Sequence, residues 1–118
     1  MPGILVLRPD EPLFFANAEP LMTLVREQVQ AQRTARILVL SLEESPDLDS
    51  TALEALTEFC AWFAARGGEL RLARLKENAR DALLRAHVAQ LGDGTLDYSS
   101  VDDAVRGHCV TPGAPLKA

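Results

Sequence analysis

The sequence predicts one α/β domain in which a central mixed β-sheet is surrounded by helices. The central part of Ile37 to Leu42 is apolar without alternation, as expected of a strand covered on both faces. Strand and helix patterns alternate along the chain, which favours parallel crossovers with helices packed on the sheet. The 118 residues fit a single domain. The predicted order of elements is β-β-α-β-α-β-α-β-α.

The first elements are two short strands and a helix. Ile4 to Leu7 and Leu13 to Phe15 are rich in strand formers and are separated by the turn sequence RPDEP, so we expect an antiparallel pair. Asn17 is the expected N-cap of a helix that runs to about Gln32. The predicted apolar stripe of this helix is Leu21, Leu24, Val25 and Val29.

A second helix is predicted after the Ile37 to Leu42 strand, from about Thr51 to Arg66. Thr51 and Glu54 have the spacing of a capping box, and Gly67-Gly68 has the composition of a helix stop. The predicted inner stripe is Leu53, Leu56, Cys60 and Phe63.

The last third of the chain is predicted to continue the alternation. Glu69 to Ala73 alternates and is expected nearer a sheet edge, and a third helix is expected from Lys76 to about Val88. Its predicted inward residues are Ala79, Leu83 and Ala86. Leu96 to Tyr98 has the pattern of a last short strand.

A fourth helix is expected from Val101 to about Arg106, with Ser99 or Ser100 as its cap. The domain is expected to span residues 1–109. The segment 110–118, which is rich in Pro and Gly, is expected to form a flexible tail.

Composition excludes several classes of function. The net charge of −5 argues against nucleic-acid binding and against binding an anionic membrane through bulk charge. The two cysteines, Cys60 and Cys109, are more simply a buried apolar residue and an unpaired thiol than a disulfide, which fits a reducing compartment. The N-terminus lacks the pattern of a signal peptide, and no apolar run approaches the ~18 residues needed to span a bilayer.

No catalytic or cofactor-binding motif was found, so the sequence predicts a protein that is not an enzyme and needs no cofactor or metal. It lacks GxxxxGK[ST], GxGxxG after a strand, CxxC and HExxH. The two histidines, His87 and His108, have no cluster of partner ligands. Cys109 beside His108 is rejected as a nucleophile and base because adjacent residues rarely face each other productively.

The loop before the second helix carries four carboxylates, Glu43, Glu44, Asp47 and Asp49. It lacks EF-hand spacing, and a solvated loop is the simplest interpretation. Ser50 follows at the helix start, where its hydroxyl should be accessible and the helix N-terminus could accommodate a phosphate. The alternative, which the physics alone favours, is that Ser50 and Thr51 compete to cap the helix.

The succession of strong strand, acidic loop, Asp49-Ser50-Thr51, helix, glycine stop and strand resembles the STAS domain (sulphate transporter and anti-sigma-factor antagonist). The resemblance covers Ile4 to about Arg106. The family motif at this turn is Asp-Ser-Ser/Thr-Gly, and Ala52 stands in place of its glycine. This departure weakens the expectation of a phosphorylation switch more than the expectation of the fold.

The stretch PLFFANAE, residues 12–19, resembles the STAS domains of SulP-type anion transporters. This implies a non-catalytic regulatory or assembly domain on the cytoplasmic face of the inner membrane, in a secondary transporter of sulphate, bicarbonate or dicarboxylates. The implied partners are the transmembrane domain of the same transporter, a second copy or a regulatory protein. The alternative is a stand-alone anti-sigma-factor antagonist regulated by phosphorylation at Ser50. Ser50 and Thr51 are the candidate regulatory residues, and the candidate partner-docking loop consists of Glu43, Glu44, Asp47 and Asp49.

Overall fold

The computed structural model describes residues 3–86, 96, 98 and 100–106. Predictions that involve His87, Val88, Asp97 of the predicted last strand, Ser99, His108, Cys109 or the tail 110–118 lie outside these residues. Three strands and four helices are described: β1 (Ile4–Leu7), α1 (Ala18–Ala31), β2 (Ile37–Ser41), α2 (Ser50–Ala65), β3 (Glu69–Ala73), α3 (Glu77–Ala86) and α4 (Val101–Arg106).

The three strands form one sheet in the order β1-β2-β3. β2 pairs in parallel with both neighbours, and Val39 lies opposite Val6 on one side and Arg71 on the other. Tyr98, in the predicted last strand, forms an isolated parallel bridge with Ala73. The α/β class and the central position of the apolar strand β2 are therefore confirmed.

The predicted second strand, Leu13 to Phe15, is wrong. These residues form a turn in which the backbone N–H groups of Asn17 and Ala18 donate to the Phe14 carbonyl at 3.0 and 2.8 Å. The Asn17 side chain holds the turn, because its Oδ1 accepts from Phe14 N at 2.9 Å and its Nδ2 donates to Pro12 O at 2.8 Å. The expected antiparallel pair is therefore absent, and the strands among the described residues are all parallel.

The sheet separates two apolar clusters, because successive residues of β2 point to opposite faces. Leu38 and Leu40 belong to the larger cluster, which they share with α1, α2 and α3. Val39 belongs to the smaller one with Tyr98 and with Ala104 of α4. Helices thus cover both faces of β2, as its continuous apolar run predicts.

The predicted stripe of α1 is only partly correct. Val25 and Val29 are buried, but Leu24 is 56% exposed. The buried residues of α1 are Ala18, Met22, Val25 and Val29. Both sets have helical spacing, and packing of α1 in the larger apolar cluster buries Ala18 and Met22 but leaves Leu21 only partly buried. Asn17 precedes α1 as predicted, but its side chain makes no capping hydrogen bond to the helix.

The end of α2 is formed by the predicted glycine pair. Gly67 has φ of +80°, and the N–H groups of Gly67 and Gly68 donate to the carbonyls of Ala64 and Phe63, both at 2.9 Å. This is the pattern of a Schellman motif. The buried residues of α2 are Ala52, Ala55, Leu56, Phe59, Cys60 and Phe63. Leu53, which was predicted to be in the inner stripe, is only half-buried.

The last two helices agree with the predictions except at one residue. In α3, Ala79 and Leu83 are buried as expected, whereas Ala86 is exposed and Ala82 is buried in its place. At the start of α4, Ser100 Oγ accepts from Asp103 N at 3.0 Å, which makes Ser100 the cap.

Candidate functional site

The candidate site lies where the β2–α2 loop meets the turn formed by residues 12–17, which we call the aromatic turn. Ser45 Oγ accepts a hydrogen bond from Leu13 N at 2.9 Å, and both residues are buried. This contact joins segments that are 32 residues apart in the chain. The aromatic turn is therefore fixed to the loop that carries the predicted site residues.

Asp49 makes the second connection between these segments. Its Oδ1 accepts from Ala52 N at 2.8 Å, which makes Asp49 the N-cap of α2. Its Oδ2 accepts from Phe15 N at 2.9 Å, in the aromatic turn. The predicted capping box of Thr51 and Glu54 is therefore wrong, since the helix begins one residue earlier. The prediction that Ser50 and Thr51 compete for the cap is also wrong.

The structure places Ser50 and Thr51, both exposed, in the first turn of α2. Asp49, the residue before Ser50, already satisfies one of the free N–H groups of this helix end. Thr51 lines a shallow cleft between α1 and α2 with Glu19, Glu54, Ala55 and Glu58. A phosphate on Ser50 would therefore meet one favourable helix end and several carboxylates.

The acidic loop is not uniformly solvated. Glu43 contacts Arg8 after β1 at 3.1 Å and Arg74 after β3 at 3.3 Å, so it links the ends of three strands. The two arginines are largely exposed, and each such pair contributes about 0–1 kcal/mol. Glu44 and Asp47 are exposed, and Asp47 Oδ1 accepts from Leu48 N at 2.8 Å. Only Asp49 among the four carboxylates contacts the aromatic turn.

Sequence reasoning missed the exposed aromatic pair at this site. Phe14 and Phe15 are 39% and 71% exposed, and their rings meet edge to face with centroids 5.6 Å apart. The strand prediction concealed them, since alternate strand residues are normally buried. The Phe-Phe sequence followed by a turn-forming Asn was the only available local indication.

The described residues offer little chemistry. They contain no group of three or more His, Cys, Asp or Glu side chains that could hold a metal ion. Burial raises the pKa of the Cys60 thiol to about 12, which keeps it protonated and unreactive. No helix in the described part of the chain is long and apolar enough to cross a bilayer.

Comparison with known proteins decides the family. Residues 1–104 match the STAS domain family. The chain belongs to that family. A relative from Mycobacterium tuberculosis, named as a probable sulfate transporter, is 36% identical to this STAS domain over 87 residues. The match covers 73% of this chain and 16% of that relative, so the chain spans about a sixth of the relative's length.

Solved structures agree with this assignment. The SulP transporter STAS domain from Vibrio cholerae has a TM-score of 0.71 and 26% identity, with 89% of this chain and 80% of that chain covered. The murine solute carrier 26 family member A9 anion transporter has a TM-score of 0.78 and 19% identity, with 92% and 18% covered, and supports the fold alone. The predicted resemblance to STAS domains of sulfate transporters is confirmed.

Proposed function

We propose that this STAS domain is a non-catalytic regulatory or assembly domain of a SulP-type secondary anion transporter, on the cytoplasmic face of the inner membrane. The observation that carries the proposal is the 36% identity to a protein named as a sulfate transporter, confined to 16% of that protein's length. The remaining length of such a protein would contain the path of the anion. The anion would be sulphate, bicarbonate or a dicarboxylate.

In this proposal the site at the carboxyl ends of the strands serves recognition rather than transport. Ligands and partners of open parallel sheets usually bind at this end. The backbone of the aromatic turn is held by hydrogen bonds to Ser45 and Asp49, so the turn is formed before a partner arrives. The proposed partners are the transmembrane domain of the same transporter, a second copy of this domain, or a regulatory protein.

The test is to read the gene upstream of this sequence and to fractionate cells that express it. We expect ten or more apolar segments of about 20 residues in the same reading frame, followed by this domain. The native protein should then be recovered with the membranes. A stop codon shortly upstream, with the native protein in the soluble fraction, would contradict the proposal.

One observation supports a second candidate, a free anti-sigma-factor antagonist. Ser50 follows Asp49 as in the family motif, and it is exposed in the first turn of α2, where a kinase could reach it. Mass spectrometry of the native protein would test this candidate by detecting phosphate on Ser50. Phosphorylation of a protein from the soluble fraction would favour it. An unmodified Ser50 in a membrane-bound protein would exclude it.

A further inference from the structure

Large apolar side chains are exposed just before α1 and on α1 itself. Phe14 and Phe15 project from the aromatic turn, and Leu24 lies 56% exposed on α1. A groove of about 320 Å³ runs from Asn17 of the aromatic turn to Leu24 and is lined by Asp10, Glu11, Asn17, Pro20, Leu21 and Leu24. Phe14 and Phe15 contact each other, and exposed apolar residues that adjoin one another mark interaction sites more often than scattered ones do.

The backbone beneath Phe15 is held in place. Its N–H donates to Asp49 Oδ2 at 2.9 Å, and Phe14 N donates to Asn17 Oδ1 at 2.9 Å. A partner that covers Phe15 would therefore order little of the chain on binding. A rigid aromatic anchor of this kind is typical of residues that dominate the affinity of an interface.

Carboxylates line two clefts near the aromatic turn, one that includes Asn17 of the turn and one that includes Glu19 in the first turn of α1. The first contains Asp10 and Glu11 as its ionisable residues. The cleft between α1 and α2 contains Glu19, Glu54 and Glu58, and its one basic residue among those described is Arg26, whose guanidinium lies over the Trp62 ring. An apolar anchor near two clefts in which carboxylates outnumber basic residues fits a partner that has an apolar residue flanked by Lys or Arg.

We infer that the aromatic turn docks a basic amphipathic segment in a cytoplasmic loop of the transmembrane domain. The inference rests on the proposed function and names the part of the partner that binds. Cytoplasmic loops of membrane proteins carry an excess of Lys and Arg, which matches the charge of the two clefts. An anionic lipid surface would be repelled by these carboxylates, and a second copy would bring the same carboxylates against each other.

The experiment measures binding of a synthetic amphipathic peptide of about 16 residues, with Leu at helical spacing and Lys between. A peptide with Glu in place of every Lys serves as the charge control. Phe15→Ser removes the anchor, and Leu84→Ser removes an exposed leucine of α3 as its matched control. Glu19→Gln removes a charge from the cleft, and Glu77→Gln removes one from the first turn of α3.

We expect the Lys peptide to bind with an affinity that falls as salt rises, and the Glu peptide not to bind. Phe15→Ser should weaken binding about tenfold or more, as loss of an interface anchor does, with an unchanged melting temperature. Glu19→Gln should weaken it a few-fold, and the two α3 variants should match the parent protein. The same pattern should appear with loop peptides from the upstream reading frame.

Several outcomes would overturn the inference. Equal losses in Phe15→Ser and Leu84→Ser would show nonspecific apolar adsorption, and equal losses in Glu19→Gln and Glu77→Gln would show nonspecific charge attraction. Stronger binding to anionic vesicles than to the Lys peptide would assign the surface to lipid. Self-association that Phe15→Ser abolishes would assign it to a second copy. If the peptide does not bind but the upstream reading frame encodes a membrane domain, this inference is rejected and the proposed function stands. If the peptide binds but no membrane domain is encoded upstream, the proposed function is rejected.

Discussion

Replacement of Asp49 tests the connection between the aromatic turn and α2. The carboxylate accepts two hydrogen bonds, from Ala52 N in the first turn of the helix and from Phe15 N in the aromatic turn. Asp49→Ala removes both. Asp49→Asn should keep the cap through its single side-chain oxygen, since Asn caps as well as Asp does, and should lose the contact with Phe15.

The magnitudes follow from the two contacts. Loss of an N-cap costs about 1 kcal/mol. The contact with Phe15 N lies in an exposed setting, so its loss costs about 0.5–1 kcal/mol. Asp49→Ala should therefore lower the free energy of unfolding by about 1.5–2 kcal/mol, or about 6–8 °C in Tm for a domain of this length. Asp49→Asn should lose only about 0.5–1 kcal/mol.

Urea unfolding gives the two free energies, and amide hydrogen exchange shows where the loss occurs. In Asp49→Asn the Phe15 amide should exchange faster while the Ala52 amide stays protected. In Asp49→Ala both should exchange faster. If Asp49→Ala costs less than about 0.5 kcal/mol, or if both variants leave Phe15 exchange unchanged, the proposed connection does not exist in solution.

Three further predictions concern other residues. The first concerns Cys60, in a protein whose other cysteine is removed by Cys109→Ala. The free energy of unfolding of this protein should fall between about pH 9 and 12, because the Cys60 thiol ionises in the unfolded state while burial, which raises its pKa to about 12, keeps it protonated in the folded state. Adding Cys60→Ala should make this fall less steep. Gly67→Ala should lower the free energy of unfolding in urea by about 1 kcal/mol, because residue 67 has a φ of +80°. Gly68→Ala should lower it by about 1–3 kcal/mol, because the added Cβ would overlap the Phe63 ring. Ser50→Asp should keep the fold and lower Tm slightly. The new carboxylate gains roughly 0.3–1 kcal/mol from the helix dipole, but each carboxylate at ~6 Å repels it by about 0.7 kcal/mol, and several such neighbours outweigh the gain. A large rise in Tm would contradict this prediction.

The sheet and its helices were predictable where the pattern is local. The run that became β2 and the glycine pair after α2 each identify an element without reference to the rest of the chain. The stripe of α1 was not, because two sets of residues have helical spacing and only packing decides between them. Leu24 was favoured by its hydropathy, yet it is exposed.

The candidate site was less predictable because its contacts are distant in sequence. Ser50 and Thr51 were placed correctly at the start of α2, but the cap and the aromatic turn depend on contacts across 34 residues, between Phe15 and Asp49. Glu43 was expected in water, whereas its partners Arg8 and Arg74 come from the ends of the other two strands. A single sequence contains no pattern that would indicate these pairs.

Residues 12–19, PLFFANAE, are the part of the chain that most specifically resembles transporter-type STAS domains, and they form two sets. Leu13 is buried, Ala18 is fully buried at the start of α1, and the Asn17 side chain closes the turn, so these residues are explained by folding. The side chain of Phe15 is not, because it is 71% exposed, and the part of Phe14 that is exposed, 39%, lies beside it. Their backbone N–H groups secure the turn, and any residue other than proline would supply those. These exposed side chains are therefore the ones that the inferred partner would cover, and the carboxylates in the neighbouring clefts favour a basic segment over an acidic one.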